Sequence, residues 1–161
     1  RKRSLYEGGV RVPGLLEWPE KVVAGSKTSV SAVTSDYFAT VLDVLGYTLP
    51  EEKRRPYDGV SIVPLIEGNA TRRLFPIGFQ GHGMATLNDN RFKLVHNPGK
   101  KRLKSDNGTA PVVEWELYDL DNDPSESKNI IDEHATIAAE MRKQLEEWQE
   151  SCEASNRGED Y

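Results

Sequence analysis

The chain has 161 residues, of which 37% are hydrophobic and 29% charged, with a net charge of -5 and a mean hydropathy of -0.63. A chain of this length can bury roughly 70% of the surface its unfolded form exposes, but the acidic balance excludes a broad basic footprint for nucleic acid. No apolar run approaches the roughly 20 residues of a membrane-spanning helix, and the single cysteine, Cys152, excludes an internal disulfide or a thiolate zinc site. The low apolar fraction points to much exposed or loop surface for a self-sufficient domain.

The opening RKRSLYEGG carries neither an initiator Met nor the apolar stretch of a signal peptide, so the chain reads as an internal or C-terminal piece of a longer protein. Gly8 and Gly9 mark a tight bend, for which glycine has the lowest steric cost. Glu7 and Arg11 either pair across that bend or lie in solvent. VRVPGLLEWP, residues 10–19, reads as an extended strand ended by Pro19, buried if Leu15 and Leu16 both pack.

An alternating stretch from Ser29 to Thr34 precedes a helix signal with Ser35 or Asp36 as N-cap and Phe38, Val41, Leu42 and Leu45 at helical spacing. Gly46 and Pro50 end that helix. Residues 51–73 read as loop with a short helical turn at Val63 to Glu67, and a boundary is expected near residues 68–74.

Short strands follow in FPIGFQ, MATLN, RFKLVHN and EWELYDL, with Asn88-Asp89-Asn90 supplying a hairpin turn. The polar stretch PGKKRLKSDNGTAPVV, residues 98–113, reads as an exposed loop. An Asp-Pro turn at 123–124 then leads into a long helix near residues 133–149. Ile130, Ile137, Met141, Leu145 and Trp148 fall on one face, suited to covering one side of the sheet. The charged tail beyond verges on disorder.

Three sets of residues in this order carry a resemblance. Lys-x3-Tyr-Glu-Gly-Gly-Val-Arg-Val-Pro-x4-Trp-Pro, from Lys2 to Pro19, is followed by SDYFATVLDVLG and YDGVSIVPLIEG, and then by RFKLV and ELYDLDNDPSESKNI. Together they resemble the sulfatase (arylsulfatase-like) family of the alkaline-phosphatase superfamily, over roughly residues 2–131. The resemblance implies an α/β, alkaline-phosphatase-like fragment: residues 1–72 as the C-terminal end of the large catalytic domain, and residues 73–161 as a small α+β subdomain.

It also implies a parent that hydrolyses sulfate esters with a formylglycine nucleophile and a divalent cation, usually calcium. The formylglycine motif and the metal-binding acids are expected upstream of this chain, leaving it without metal ligands and inactive alone. Cys152, in CEASN, lacks the Pro and Arg of the formylglycine motif. Lys2 occupies the place of the family's sulfate-contacting lysine, a role that suits a flexible ammonium; its other reading is a solvated residue at a frayed terminus.

His82, between glycines in GFQGHGMA, sits where the C-terminal subdomain of such enzymes can reach the substrate rim; as a loop histidine it equally suits plain exposure to water. His96 and His134 read as structural or solvated. The expected partner is a sulfated small molecule or sulfated glycan, with no nucleic acid and no membrane, and the family implies a periplasmic or secreted parent. The competing readings are a phosphate or phosphonate ester hydrolase of the same superfamily, and a non-catalytic module presenting a glycan- or protein-binding surface, to which the basic run at 100–104 would contribute.

Overall fold

A computed structural model describes residues 4–98 and 114–160, so Lys2 and most of the basic loop lie outside the described residues. The chain forms two compact units. One comprises residues 1–12 and 78–152; the other comprises residues 13–77 and 153–161.

The first unit is built on an antiparallel sheet of order β1-β2-β3-β4, with β1 at Ile77–Gly81, β2 at Met84–Asp89, β3 at Phe92–His96 and β4 at Trp115–Asp119. All four strands lie where the apolar runs predict them. Leu87 faces Leu94 across β2 and β3, and Leu94 faces Leu117 across β3 and β4, so alternation puts these leucines on one face. Asn90, at φ 51, makes the β2–β3 turn, an angle that asparagine tolerates better than most residues.

The long helix runs over Ala135–Asn156 and buries Ala138, Met141 and Leu145 against Ala85, Leu87, Leu94, Leu117 and Ile130. Ile137 and Trp148 pack at the edge of this cluster, as the helical spacing predicts. The helix extends past the expected end near 149, and the following residues are ordered by closure at a glycine instead of fraying. Gly158, at φ 75, turns the chain so that its N–H and that of Glu159 reach the carbonyls of Ser155 and Ala154.

Trp148 also explains a glycine in β1. A Cβ built on Gly78 would lie 2.5 Å from the Trp148 ring, so the strand carries no side chain where the indole packs. Gly78→Ala is therefore expected to cost about 1–3 kcal/mol by overpacking, read by urea denaturation. Trp148→Leu, which removes the ring, should relieve most of that cost; equal costs in both backgrounds would contradict the packing.

The second unit contains two helices, Asp36–Val44 and Val63–Ile66, both at predicted positions, and a 3₁₀ turn at Glu51–Lys53. The strand expected over residues 10–19 does not form, and neither does one over 29–34. Leu15 is 99% exposed and Leu16 more than half exposed. An apolar run becomes a strand only where a neighbour accepts its backbone hydrogen bonds, and among the described residues no strand pairs with this run.

The bend at Gly8 and Gly9 also takes a form other than the expected one. Glu7–Val10 is a single helical turn, with Gly9 and Val10 N–H groups donating to the Tyr6 carbonyl. Neither glycine has a positive φ, so the bend does not depend on the backbone freedom that only glycine supplies.

Candidate functional site

The face of the sheet opposite the long helix is also buried, and most of its residues are polar. Thr86 and Asn88 of β2, Lys93 and Val95 of β3, and Glu116 and Tyr118 of β4 share it by alternation and register, and all six are buried. Tyr6 and Glu7 lie against this face. The Tyr6 hydroxyl donates to the Glu116 carboxylate and accepts from Asn97 Nδ2 at 3.4 Å, and the Tyr6 ring meets Tyr118 edge-on at 6.2 Å.

At the centre is Lys93, 0% exposed. Its ammonium lies 2.8 Å from Glu7 Oε1 and 3.0 Å from Glu126 Oε1. The Glu7 N–H donates to Glu126 Oε2 at 2.6 Å, closing a triangle between the first segment, β3 and the turn after β4. Arg11 adds a more distant contact to Glu7, 3.8 Å away, so the predicted pair forms but takes second place to Lys93. A lysine buried this deeply requires a counter-charge, and here two carboxylates provide it. Burial pushes the Tyr118 phenol upward, and the hydrogen bond to Glu116 and that group's charge add to the shift; Tyr118 is therefore a neutral hydroxyl at physiological pH.

The turn that delivers Glu126 is specified residue by residue. Asp123 accepts the Ser127 and Lys128 N–H groups at 2.7 and 2.9 Å, together with both neighbouring serine hydroxyls. The Lys128 N–H and these other donors hold its carboxyl below the usual carboxylate range. Asn129 Oδ1 accepts the Leu117 N–H at 2.9 Å, tying the turn to β4. Between these anchors Glu126 adopts φ 55, a left-handed conformation that costs a residue with a Cβ about 1–2 kcal/mol. The Asp-Pro-x-Glu-x2-Asn stretch, residues 123–129, thus aims one carboxylate at Lys93.

The second unit uses its two motifs in the same structural way. Arg73 grips Asp36 through both guanidinium nitrogens, at 2.6 and 2.8 Å, with both side chains buried. Asp36 also accepts the Val33 and Val60 N–H groups at 2.8 and 2.9 Å, while Thr40 Oγ1 accepts the Ile62 N–H at 3.1 Å. The Asp-x3-Thr helix therefore supplies the acceptors for the backbone of the Asp-Gly-x-Ser stretch, residues 58–61.

Residues 1–151 match the family described as N-sulphoglucosamine sulphohydrolase, C-terminal. The chain belongs to this sulfatase family. An N-acetylglucosamine-6-O-sulfatase of Bacteroides thetaiotaomicron is 27% identical over 92% of the chain, which covers 26% of that protein. Human steryl-sulfatase is 42% identical over 44% of the chain and is covered to 12% of its length. A solved structure of a protein in complex with its substrate D-glucosamine-2-N,6-O-disulfate superposes with a TM-score of 0.64 at 25% identity, covering 94% of this chain and 30% of that one. The chain thus spans about a third or less of the relatives it matches. Solved neighbours include sulfatases, and the fold of the chain is alkaline-phosphatase-like.

Within this sulfatase chain, the candidate substrate residue His82 sits at the tip of the β1–β2 turn, exposed, at φ 53 beside Gly83 at φ 76. Positive φ at both turn residues is the geometry that fits a tight hairpin to twisted strands. His96 stacks on Trp115 at 4.1 Å and meets Glu114 at 2.9 Å, while His134 lies 5.6 Å from the Phe92 ring. Cys152 lies on the long helix. Among the described residues, no three His, Cys, Asp or Glu side chains converge where a metal ion could be held; the described residues do not fit the divalent cation that the family resemblance implies. No described helix is long and apolar enough to cross a membrane.

Composition gives no sign of the polar face. Lys93 alternates with Phe92 and Leu94 in RFKLV, a pattern that places it on the face away from the helix but does not say what covers that face. The available signal was the pairing of an acid in the Tyr-Glu-Gly-Gly segment with one in the Asp-Pro-x-Glu turn, both far from β3 in sequence.

Proposed function

We propose that the chain is the C-terminal portion of a sulfatase that hydrolyses sulfate esters of a sulfated sugar, in the periplasm or outside the cell. The observation that carries this reading is the family match over residues 1–151. It is supported by a structural relative, superposable over 94% of this chain, that is in complex with its substrate D-glucosamine-2-N,6-O-disulfate. In this reading the nucleophile is a formylglycine, and calcium or another divalent cation supports it; both belong to residues outside this chain, and the chain alone is inactive. Lys2 contributes from this chain: a point-charge ammonium that hydrogen-bonds a sulfate oxygen and balances the charge that grows as the ester bond breaks.

The test is sulfate release by the full-length protein from a generic aryl sulfate and from N- and 6-O-sulfated glucosamine, with the matched aryl phosphate as competitor. Turnover of the sulfate esters is expected to exceed that of the phosphate ester, and Lys2→Ala should lower kcat/KM by about 10²-fold, the scale for losing one preorganised electrostatic group. A preference for phosphate would assign the chain to the phosphate and phosphonate hydrolases of the superfamily. Glycan binding with no turnover of either ester would make it a binding module.

A further inference from the structure

We propose that Lys93, held between Glu7 and Glu126, is a positioning residue that locks the Tyr6–Gly9 turn onto the sheet and so fixes the direction from which the preceding residues approach the sulfate. This inference rests on the sulfatase reading and on the role proposed for Lys2. Glu7 contributes both its carboxylate and its N–H to the lock, at 2.8 Å from Lys93 and 2.6 Å from Glu126. Tyr6 adds the bond to Glu116 and the edge contact with Tyr118.

Three features of this face oppose stability. A lysine is buried completely, a non-glycine residue is held at φ 55, and the neighbouring Thr86 Oγ1 and Asn88 Oδ1 are buried without a hydrogen-bond partner among the described residues. An apolar face of the same shape would avoid the buried charge and the unpaired polar atoms. What the polar arrangement supplies is direction: the charge-assisted bond from Lys93 to Glu7 and the bond from the Glu7 N–H to Glu126 fix both the position and the rotation of one helical turn, which apolar packing does not.

Glu126→Gly separates this role from bulk stability, because glycine adopts φ 55 without strain while deleting the carboxylate. In the full-length enzyme it is expected to lower kcat/KM for sulfate esters about tenfold, mainly through kcat, since misplacing a group by a fraction of an ångström acts on the transition state. Lys93→Met, similar in length and uncharged, should do the same. Combined with Lys2→Ala, neither change should reduce kcat/KM further, because both act through the same group. Amide exchange at Glu7–Val10 should also quicken in Glu126→Gly with or without substrate.

Unchanged kcat/KM in the folded Glu126→Gly variant would overturn the proposal, as would effects that multiply with those of Lys2→Ala. Unchanged exchange at Glu7–Val10 would overturn it whatever the activity. Faster exchange in a protein that releases no sulfate would instead uphold the lock and refute the sulfatase reading.

Discussion

Asp36→Ala is expected to destabilise the protein by about 3–5 kcal/mol, measured by urea denaturation of the full-length form. The carboxylate accepts from both terminal guanidinium nitrogens of Arg73, at 2.6 and 2.8 Å, and Arg73 is 3% exposed. Removing it takes the carboxylate counter-charge from a buried guanidinium whose contacts to the Phe75 and Asp58 carbonyls, at 2.8 and 3.4 Å, are to neutral acceptors. The Val33 and Val60 N–H groups lose their acceptor as well. A loss below about 1 kcal/mol would mean that water reaches Arg73 and that the pair behaves as a surface salt bridge. Replacing both members, Asp36→Leu with Arg73→Met, should recover much of the loss, since the dominant penalty is the orphaned charge and not the absence of the pair.

The same carboxylate sets a pH dependence with a defined sign. Burial by itself would raise its pKa, but the Arg73 hydrogen bonds, the Val60 and Val33 N–H groups and the Arg73 charge outweigh burial and hold it below the usual range. A group whose folded pKa lies below its unfolded value stabilises the fold above the unfolded pKa, about 3.9 for aspartate, and loses that contribution as the pH falls through the folded value. Stability should therefore be flat in this respect above about pH 5 and fall below about pH 4. Asp36→Asn should flatten that acid limb.

The elements that were legible from the sequence owe their form to local signals. The long helix followed from Ile137, Met141, Leu145 and Trp148 recurring on one face, and the β2–β3 hairpin from a residue that tolerates positive φ at Asn90. The failures are all non-local. The apolar run at 10–19 predicts a strand, buried if Leu15 and Leu16 both pack, whereas pairing depends on which other strands are present. The polar face escaped for the converse reason: alternation reports that Lys93 points away from Leu94 but not that Tyr6 and Glu7, far earlier in the chain, come to cover it. Likewise the sequence places Glu126 in an Asp-Pro turn, and only the fold shows Asp123 and Asn129 shaping that turn around it. The motif residues of the second unit were recognisable by spacing, yet their physical meaning, two backbone segments exchanging hydrogen bonds through Asp36 and Thr40, appears only in three dimensions.

Gly59→Ala is expected to destabilise by about 3 kcal/mol or more, above the usual range for overpacking because the obstacle is backbone. A Cβ on Gly59 would lie 2.1 Å from the Ser35 carbonyl oxygen, 2.6 Å from its carbon and 3.1 Å from the Asp36 nitrogen. A flexible side chain could swing aside, but Ser35 leads into the helix and Asp36 is held by Arg73, so the 58–61 segment must move instead. Moving it withdraws the Val60 N–H from Asp36 and the Ile62 N–H from Thr40, bonds that require this close approach. The damage from Gly59→Ala and that from Asp36→Ala thus fall on the same contacts, and the double variant should lose clearly less than the sum of the two. Strict additivity in denaturation experiments would show that the glycine serves some other contact and that the two motifs do not interlock.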